Sequence, residues 1–238
     1  MKSLIKKTRD FILSPFVFVS YLKYRSREKR FSVPVSEIKP YIFDKLIATN
    51  FDRHYVYHTS WAARKLKQIN PEFHADISSS LYFAGIASAF VPVKFFDYRP
   101  ADIVFEGLQS DRADLMQLPF ANDSIKSLSC MHVVEHIGLG RYGDSLDSEG
   151  DKKAAHELKR VLASGGSLLF VVPVGKPRIQ FNAHRIYSYD MVMELFEGLE
   201  LKEFVLIPER SGAPLKNVSA EQVRKENYGC GCFWFIKK

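Results

Sequence analysis

Three aspartates divide the middle of this 238-residue chain at positions that suit a ligand-binding β-sheet. Asp76 and Asp97 come at the ends of short apolar or aromatic runs, and Asp114 opens a turn before the next run. Ligands of open parallel sheets bind at the carboxyl ends of the strands. Carboxylates at successive strand ends would accept hydrogen bonds from different donors of one ligand, such as an amine, a ribose diol and the amino group of a base. The order and spacing of these acids therefore predict a nucleoside-binding edge.

The segment His132-Val133-Val134-Glu135-His136 carries a second set of reactive side chains. Positions 132, 135 and 136 are expected to share one side of a helical turn that follows a strand, at the mouth of the sheet. Together with His184, they offer three imidazoles and a carboxylate, which suit a transition metal better than magnesium. Such a divalent metal, with Glu135, His136 and His184 as its predicted ligands, would bind hydroxyls of an acceptor and lower the pKa of the attacking one.

The same segment also allows a mechanism without a metal. An imidazole with a pKa near neutrality can take the proton of a hydroxyl group while another group is transferred to its oxygen. His132 and His136 are the candidates for such a catalytic base. The sequence alone leaves the metal and the metal-free base as alternatives.

Alternating strands and helices are expected to position these residues. The predicted strands are HADISSSLYF with its loop, VKFFDY, IKSLSCMHVV, SLLFVVP, LKEFVLIP and GCFWFIKK. The predicted helices are TSWAARKLKQI, closed by Asn70-Pro71, the segment 151–162, closed by Gly165-Gly166, and DMVMELFEGL, with Ser188 as its N-cap. HYVYH is expected to precede the first of these helices. The alternation predicts an α/β fold with a doubly wound, mostly parallel sheet.

The net charge of +7 is concentrated in the first 30 residues, which contain nine basic and two acidic residues. The basic clusters flank FILSPFVFVSYL, which is too short to span a bilayer because about 20 apolar residues are needed. An apolar stretch between cations is typical of a segment that lies in the interface of an anionic membrane. A helix docked on the core or on a partner protein is the alternative. The rest of the chain has no basic excess, which argues against specific nucleic-acid binding.

Size and cysteine usage set further limits. A chain of 238 residues with 46% hydrophobic residues fits one large domain with an ample core. We expect residues 41–238 to form this domain and residues 1–40 to form a basic and apolar, helical N-terminal extension. Cys130, Cys230 and Cys232 are expected to be reduced, structural thiols. This predicts a cytoplasmic protein, peripheral on the inner face of the membrane if residues 1–30 dock there.

Residues from His74 to Pro173 resemble a known family. LPFANDSIKSLSCMHVVEHI followed by LKRVLASGGSLLFVVP resembles the class I S-adenosylmethionine-dependent methyltransferases. The longer stretch from HADISSSLYF to RIYSYD is similar to a methyltransferase-like family of unknown function that occurs in nematodes and in bacterial surface-polysaccharide gene clusters. The resemblance covers roughly residues 54–236 and implies a Rossmann-like, seven-stranded sheet whose last strand runs antiparallel.

The resemblance implies S-adenosylmethionine as the cofactor and assigns the three aspartates to it. Asp97 would accept hydrogen bonds from both ribose hydroxyls, and Asp114 with Leu115 would contact the adenine. The methionine part would be held by four residues: Asp76, Ser78, Ser79 and Ser80. The glycines that usually let the backbone approach the ligand are absent between His74 and Gly85, and three serines take their place.

We therefore expect a methyltransferase that methylates a hydroxyl group of a sugar or sugar-phosphate in cell-surface polysaccharide synthesis. Loop 175–187 would overhang the reactive end of the cofactor, where Arg178 and Arg185 would bind a phosphate or carboxylate of this small-molecule or glycan acceptor. Tyr142 and Asp144 lie in a glycine-rich loop that suits a lid. The alternative is a non-catalytic Rossmann-like protein that binds a membrane-associated biosynthetic complex through residues 1–30.

Overall fold

The computed structural model describes residues 15–40, 49–104 and 106–238. Its contacts divide the chain into two compact units, Met1–Phe51 and Asp52–Lys238. The predicted domain boundary after residue 40 lies within the first of these units and stays a prediction. None of the described helices is long and apolar enough to cross a membrane.

The first unit contains a helix over residues 15–25 and a 3-10 turn, Val35–Glu37. Tyr21 ties the helix to the segment after it, because its hydroxyl donates to the Val33 carbonyl at 2.8 Å. Five large hydrophobic side chains of the helix are exposed: Phe16, Phe18, Val19, Leu22 and Tyr24. Residues 1–14, which carry the first basic cluster and the start of the apolar run, lie outside the described part of the chain.

The described residues of the second unit form ten strands and five helices. The strands are β1 (His74–Ile77), β2 (Val93–Asp97), β3 (Leu108–Arg112), β4 (Ile125–Met131), β5 (Leu162–Val174), β6 (Arg178–Gln180), β7 (His184–Ile186), β8 (Leu199–Ile207), β9 (Leu215–Lys216) and β10 (Gly229–Lys237). The helices are α1 (Arg53–Ile69), α2 (Leu81–Ala87), α3 (Gly150–Val161), α4 (Tyr189–Leu195) and α5 (Ala220–Lys225). A 3-10 turn, Val134–His136, follows β4.

Eight strands form one sheet in the order β3-β2-β1-β4-β5-β10-β8-β9, and β6 and β7 form a separate hairpin. Strands β1 to β5 pair in parallel, whereas β10 lies antiparallel to both β5 and β8. The predicted doubly wound sheet with an antiparallel last strand is confirmed, and the two-residue β9 adds an edge strand to the seven expected. The winding reverses between β1 and β4, and sheets of this kind bind ligands at such a switch point.

Apolar side chains cover both faces of the sheet. One cluster includes Leu128, Phe170 and Phe233, and the other includes Trp61 and Leu169. Leu169 and Phe170 are neighbours in β5 but belong to different clusters, because successive side chains of a strand point to opposite faces. Burial on both faces explains the continuous apolar run of β5.

Local signals set several helix ends. Ser188 caps α4 as predicted, because its hydroxyl accepts from a backbone amide in the first turn, and Asn70 ends α1 in a left-handed conformation. The prediction that HYVYH precedes the first helix is wrong. Asp52 caps α1 by accepting from the Tyr55 amide, so the helix begins before this segment and contains it.

The predicted helix 151–162 is confirmed to within one residue, but the prediction that Gly165-Gly166 closes it is wrong. The helix ends at Val161 and β5 begins at Leu162, so Gly165-Gly166 lies inside the strand and does not close the helix. A Cβ atom on Gly166 would lie 2.7 Å from the Ala163 carbonyl oxygen and 3.0 Å from that of Ile125. The glycine therefore permits a close approach of backbones at the start of β5.

Candidate functional site

A cavity of about 340 Å³ opens at the carboxyl ends of the parallel strands, at the lower end of the range for small-molecule sites. Six residues of the predicted site line it: Ser78, Asp97, Asp114, Leu115, His132 and His136. Seven others do not line it: Asp76, Ser79, Ser80, Glu135, Arg178, His184 and Arg185. The cavity is therefore lined by the residues predicted to bind the ribose and the adenine and by the two histidines predicted as catalytic bases. Most of the residues predicted to bind a metal or the acceptor lie outside it.

Asp97 is the last residue of β2 and lies half-buried at the edge of the cavity. Its Oδ1 accepts a hydrogen bond from the Arg99 amide at 2.7 Å, which fixes the carboxylate. Within the described residues no donor reaches Oδ2, so this oxygen can accept from a ligand. A fixed carboxylate at a strand end fits a ribose diol, because one carboxylate can accept from two hydroxyls.

The segment after β3 forms another wall of the cavity. The Asp114 carboxylate accepts from the Met116 amide at 2.8 Å, which holds the chain in a turn. Leu115 is buried and contributes apolar surface beside this carboxylate. An apolar wall next to an acceptor fits the predicted contact with a flat base that carries an amino group.

The glycine-free loop after β1 is held by hydrogen bonds of its serines. Ser78 has a φ of 54°, a left-handed conformation that glycine usually takes. Its amide and its hydroxyl both donate to the Phe96 carbonyl, at 2.7 and 3.1 Å, which ties the loop to β2. The Ser79 hydroxyl accepts from the Met131 amide at 3.1 Å and ties the loop to β4. Side-chain contacts therefore hold the conformation that glycines give in related loops.

Asp76 lies behind this loop and is fully buried. Its carboxylate accepts from the Ser79 amide at 3.0 Å and from the Ser129 hydroxyl at 2.5 Å. Burial raises the pKa of Asp76 to about 6. Both carboxylate oxygens are thus engaged inside the protein, and Asp76 supports the loop from behind the cavity wall.

The hydrogen bonds of Asp76 also determine which atoms of the neighbouring side chains carry a proton. Because Ser129 donates its only hydroxyl proton to Asp76, its oxygen must accept from His74 Nε2–H, which lies 2.8 Å away. His74 Nδ1 then accepts from the Ser127 hydroxyl, also at 2.8 Å. This requires a neutral imidazole, and burial lowers the pKa of His74 to about 3. Every member of this buried network therefore has a partner.

Ser129→Ala should destabilise the fold by about 2–3 kcal/mol, because it leaves an oxygen of Asp76 and the N–H of His74 buried without a partner. Ser127→Ala is the matched control on the same strand. It leaves one nitrogen of His74 unpaired, so we expect a loss of about 1 kcal/mol. Urea unfolding followed by circular dichroism measures both variants, and equal losses would contradict these proton positions.

His136 ends the 3-10 turn and lines the cavity. Its Nδ1 is 2.6 Å from the Ala183 carbonyl, so this nitrogen carries the proton and donates it. The Nε2 atom therefore has a lone pair. Burial lowers the pKa of His136, so its imidazole is neutral at pH 7. A neutral imidazole with a lone pair beside a ligand cavity has the properties of a general base.

His132 has the opposite properties. Its Nδ1–H donates to the Glu135 carboxylate at 2.8 Å, and its Nε2 lies 3.5 Å from the Cys230 sulfur. Burial opposes a charge on the ring, but the contacts with Cys230 and with the Glu135 carboxylate raise the pKa of His132 above its usual range. Both ring nitrogens of His132 therefore face protein partners, the Glu135 carboxylate and the Cys230 sulfur, and neither is free to take a proton from a ligand. The geometry therefore favours His136 as the base.

The predicted metal ligands are not assembled as a set. His136 Nε2 is 3.9 Å from Glu135 Oε1, but the ring centres of His136 and His184 are 6.2 Å apart. Throughout residues 15–40, 49–104 and 106–238, one group of three potential ligands has all its donor atoms within 4.8 Å of one another, namely His54, His132 and Cys230. The trio of Glu135, His136 and His184 thus lacks the close grouping that a metal site requires.

The arginines predicted to bind an acceptor are engaged elsewhere. Arg185 is buried, donates to the Ile137 carbonyl at 2.6 Å and lies 3.6 Å from the Asp151 carboxylate. Arg178 donates to two backbone carbonyls. The loop that carries them folds back as the hairpin of β6 and β7. These contacts favour structural roles for both arginines, and acceptor binding by them stays a prediction.

Two other arginines lie beside the cavity, and sequence reasoning missed them. The guanidinium carbons of Arg99 and Arg141 lie 5.1 and 5.0 Å from the centre of the Tyr142 ring. Tyr142 and Arg99 line the cavity, and the Tyr142 ring packs edge-on against His136. A signal was present in the sequence, since Arg99 follows Asp97 closely and Arg141 follows His136 closely.

Asp144 shapes the loop that carries Tyr142. Its carboxylate accepts from the amides of Gly138, Gly140 and Tyr142, at 2.8, 3.3 and 3.1 Å. Gly138 has a φ of 76°, and a Cβ atom there would lie 2.1 Å from the Asp147 carbonyl oxygen, so a larger residue does not fit. The loop therefore places Tyr142 and Asp144 at the cavity wall.

A family model described as Caenorhabditis protein of unknown function, DUF268, matches residues 117–227. No curated protein matches the chain. The predicted resemblance to the nematode family is therefore confirmed over the part of the chain that contains the turn Val134–His136 and the hairpin of β6 and β7.

Solved structures share the fold at low sequence identity. The YcgJ protein from Bacillus subtilis is 14% identical, with a TM-score of 0.53 over 77% of this chain and 99% of that one. A putative methyltransferase from Bacillus halodurans is 17% identical, with a TM-score of 0.52 over 74% of this chain and 99% of that one. The N-methyltransferase NodS from Bradyrhizobium japonicum, solved with S-adenosylhomocysteine, is 14% identical, with a TM-score of 0.51 over 78% and 87%. The chain therefore has the fold of the class I S-adenosylmethionine-dependent methyltransferases and, over residues 117–227, matches the nematode family of unknown function.

Proposed function

We propose that this protein is an S-adenosylmethionine-dependent methyltransferase that methylates a hydroxyl group of a sugar or sugar-phosphate. The observation that carries the proposal is one cavity in which the free oxygen of Asp97, the apolar wall at Leu115 and the neutral imidazole of His136 converge. The fold shared with methyltransferases supports this class of reaction, although a fold alone does not fix a function.

The residues of the cavity fit the cofactor. Asp97 offers an acceptor for the ribose, Asp114 and Leu115 offer an acceptor and an apolar surface for the adenine, and Ser78 gives the turn that the ligand needs after β1. Bound there, the cofactor supplies an electrophilic methyl group on a sulfonium centre. The cavity is small enough that the acceptor must approach from its open side, and holding the two reactants in line supplies much of the rate.

His136 takes the proton of the acceptor hydroxyl on Nε2 as the methyl group moves to the oxygen. The Ala183 carbonyl, 2.6 Å from Nδ1, keeps the ring oriented and stabilises the imidazolium that forms. The proton then passes from His136 Nε2 to solvent. This role explains why a neutral histidine is needed at the cavity wall.

Arg99 supports an acceptor that carries a phosphate or carboxylate, and Arg141, which also donates to the Ala183 carbonyl at 2.9 Å, lies on the same tyrosine ring. Both guanidinium groups stack on Tyr142 beside His136, so they lie near the point where the acceptor must enter. A planar guanidinium binds such groups with two parallel hydrogen bonds. The link to cell-surface polysaccharides rests on the family resemblance alone.

Transfer of a labelled methyl group from S-adenosylmethionine to a panel of acceptors tests this function. We expect the label to appear in sugar-phosphates, as a methyl ether that resists alkali. One molecule of S-adenosylhomocysteine should form for each methyl group transferred. Transfer only to amines would contradict the O-methylation. Binding of the cofactor with no transfer to any acceptor would favour the non-catalytic binding protein.

The first unit supports a further part of the proposal, namely docking on an anionic membrane surface at the inner face of the membrane. Its described helix exposes Phe16 and Phe18, which are 72% and 45% exposed. Nine basic residues lie in residues 1–30 around this apolar run. Burial of the aromatic rings in the interface and attraction of the cations to acidic lipids would act together.

Full-length protein should sediment with vesicles that contain acidic lipids, and binding should fall as salt rises because exposed charges are screened. Phe16→Ser with Phe18→Ser should weaken binding without changing the charge. Val35→Ser is the control, because Val35 is an exposed apolar residue of the same unit outside the helix. Binding that is indifferent to salt and to the two phenylalanines would contradict membrane docking.

A further inference from the structure

A compact group of nitrogen and sulfur donors lies beside the cavity. One ring nitrogen of His54, one of His132 and the Cys230 sulfur all lie within 4.8 Å of one another. These residues belong to α1, to the segment directly after β4 and to β10, so only the folded chain brings them together. The proposed methyl transfer uses none of the three as a reacting group.

Both imidazoles of this group have a further hydrogen-bond partner in the protein. His132 Nδ1–H donates to the Glu135 carboxylate at 2.8 Å, which leaves Nε2 facing the Cys230 sulfur. His54 has the backbone of Tyr228 as a hydrogen-bond partner, and its ring stacks on that of His132 with the centres 5.7 Å apart. Histidine ligands of metals are held in this way, with the second ring nitrogen bound to a carboxylate or a carbonyl.

The spacing of the donors suits a metal ion. His132 Nε2 and Cys230 Sγ are 3.5 Å apart. Zinc bonds of about 2.3 Å to sulfur and about 2.0–2.1 Å to nitrogen, at a tetrahedral angle, put the two ligand atoms about 3.5 Å apart. A metal ion therefore fits between these two atoms as they stand. A proton shared by the two atoms is the other possible occupant of this gap.

His58 provides a second, independent observation. It is fully buried, and its Nδ1 lies 2.7 Å from the His54 carbonyl, so Nδ1 carries the proton and donates it. Its Nε2 is buried and has no hydrogen-bond partner among the described residues, while its ring centre lies 5.0 Å from that of His132. A buried lone pair without a donor is unfavourable in a protein interior, and a neighbouring cation removes this penalty.

We propose that His54, His132 and Cys230 bind one zinc-class transition-metal ion, with the buried His58 beside His132 as an additional donor. Two imidazoles and a thiolate match the preferences of Zn²⁺ and not those of Mg²⁺. On binding, the proton held between the Cys230 sulfur and His132 Nε2 leaves to solvent. A divalent ion, the Cys230 thiolate and the Glu135 carboxylate then balance in charge. Because His132 also lines the cavity, the ion stabilises one wall of the substrate site.

Cobalt titration of the chelator-treated, full-length protein tests the site. Cobalt bound to a thiolate absorbs in the near ultraviolet by sulfur-to-metal charge transfer, and Zn²⁺ should displace it. We expect this absorption to saturate at about one Co²⁺ per chain. Cys230→Ser should remove the absorption and weaken Co²⁺ binding at least tenfold. Glu135→Gln removes a positioning residue, so it should weaken binding by about 10–100-fold and keep the absorption.

Cys232→Ser is the matched control, because Cys232 is equally buried on the same strand and is not one of the three donors, and serine can keep its hydrogen bond with Cys230. It should keep both the absorption and the affinity. A folded wild type without the absorption would overturn the proposal, as would absorption that survives Cys230→Ser or is lost equally with Cys232→Ser. If circular dichroism shows that Cys230→Ser does not fold, the cobalt titrations of the wild type and of Glu135→Gln test the proposal instead. Asp97→Ala should bind cobalt like the wild type, so the result is independent of the proposed methyl transfer.

Discussion

His136→Gln should lower the turnover of methyl transfer by about 10²–10⁴-fold, the usual contribution of a general base. The neutral imidazole lines the cavity, and its Nδ1–H is held by the Ala183 carbonyl. Glutamine keeps a polar side chain of similar length but offers no basic nitrogen. The affinity for S-adenosylmethionine should change little, because the base acts on the acceptor. Steady-state kinetics together with a binding titration separate the two effects.

His156→Gln is the control for this substitution. His156 lies exposed on α3 and does not line the cavity, so its loss should leave turnover unchanged. Full turnover in His136→Gln would show that another group takes the proton. If His132→Gln is inactive and His136→Gln is active, His132 is the general base. That result would contradict the assignment of the base to His136.

Asp97→Ala should weaken binding of S-adenosylhomocysteine by about 3 kcal/mol or more, which is on the order of 100-fold. The carboxylate offers a free oxygen to two ribose hydroxyls, and hydrogen bonds to a charged group are the stronger class. The ligand-free protein should melt as the wild type does, because Asp97 makes one hydrogen bond to the exposed Arg99 amide. Equilibrium titration and thermal unfolding measure the two quantities.

Asp111→Ala is the matched control for Asp97→Ala. Asp111 lies on β3 next to β2, is exposed and does not line the cavity. Asp111→Ala therefore removes the same charge from the neighbouring strand. Its affinity for S-adenosylhomocysteine should stay within about 0.5 kcal/mol of the wild type. Equal losses of affinity in the two variants would show that Asp97 acts only through its charge. The assignment of Asp97 to the ribose would then be wrong.

The main outline of the cavity could be predicted because strand ends leave a local signature. Asp97 ends an apolar run and Asp114 opens a turn, and parallel strands bring such positions to the same edge. The turn around His136 follows a buried strand and lines that edge too. These features depend on short-range patterns and on one topology, which the alternation of strands and helices indicates.

Other features depend on contacts that no local pattern reveals. Asp76 looks like a ligand-binding acid in the sequence, but its partners Ser129 and Ser79 engage it inside the protein. Arg185 looks like an acceptor-binding residue, but it pairs with Asp151 on α3. The grouping of Cys230 with two histidines depends on the register of β10 against β5, and a shift by one residue would turn its side chain to the other face.

Calorimetric titration of the wild-type protein with S-adenosylmethionine and with S-adenosylhomocysteine tests the central claim most directly. If the cavity at Asp97, Asp114 and Ser78 is a cofactor site, both ligands should bind saturably at about one molecule per chain, and each should displace the other. The thermal midpoint should rise with ligand concentration, as expected for a ligand that binds only the folded state. A folded protein that gives neither heat nor a thermal shift at millimolar concentrations of both ligands would contradict the claim.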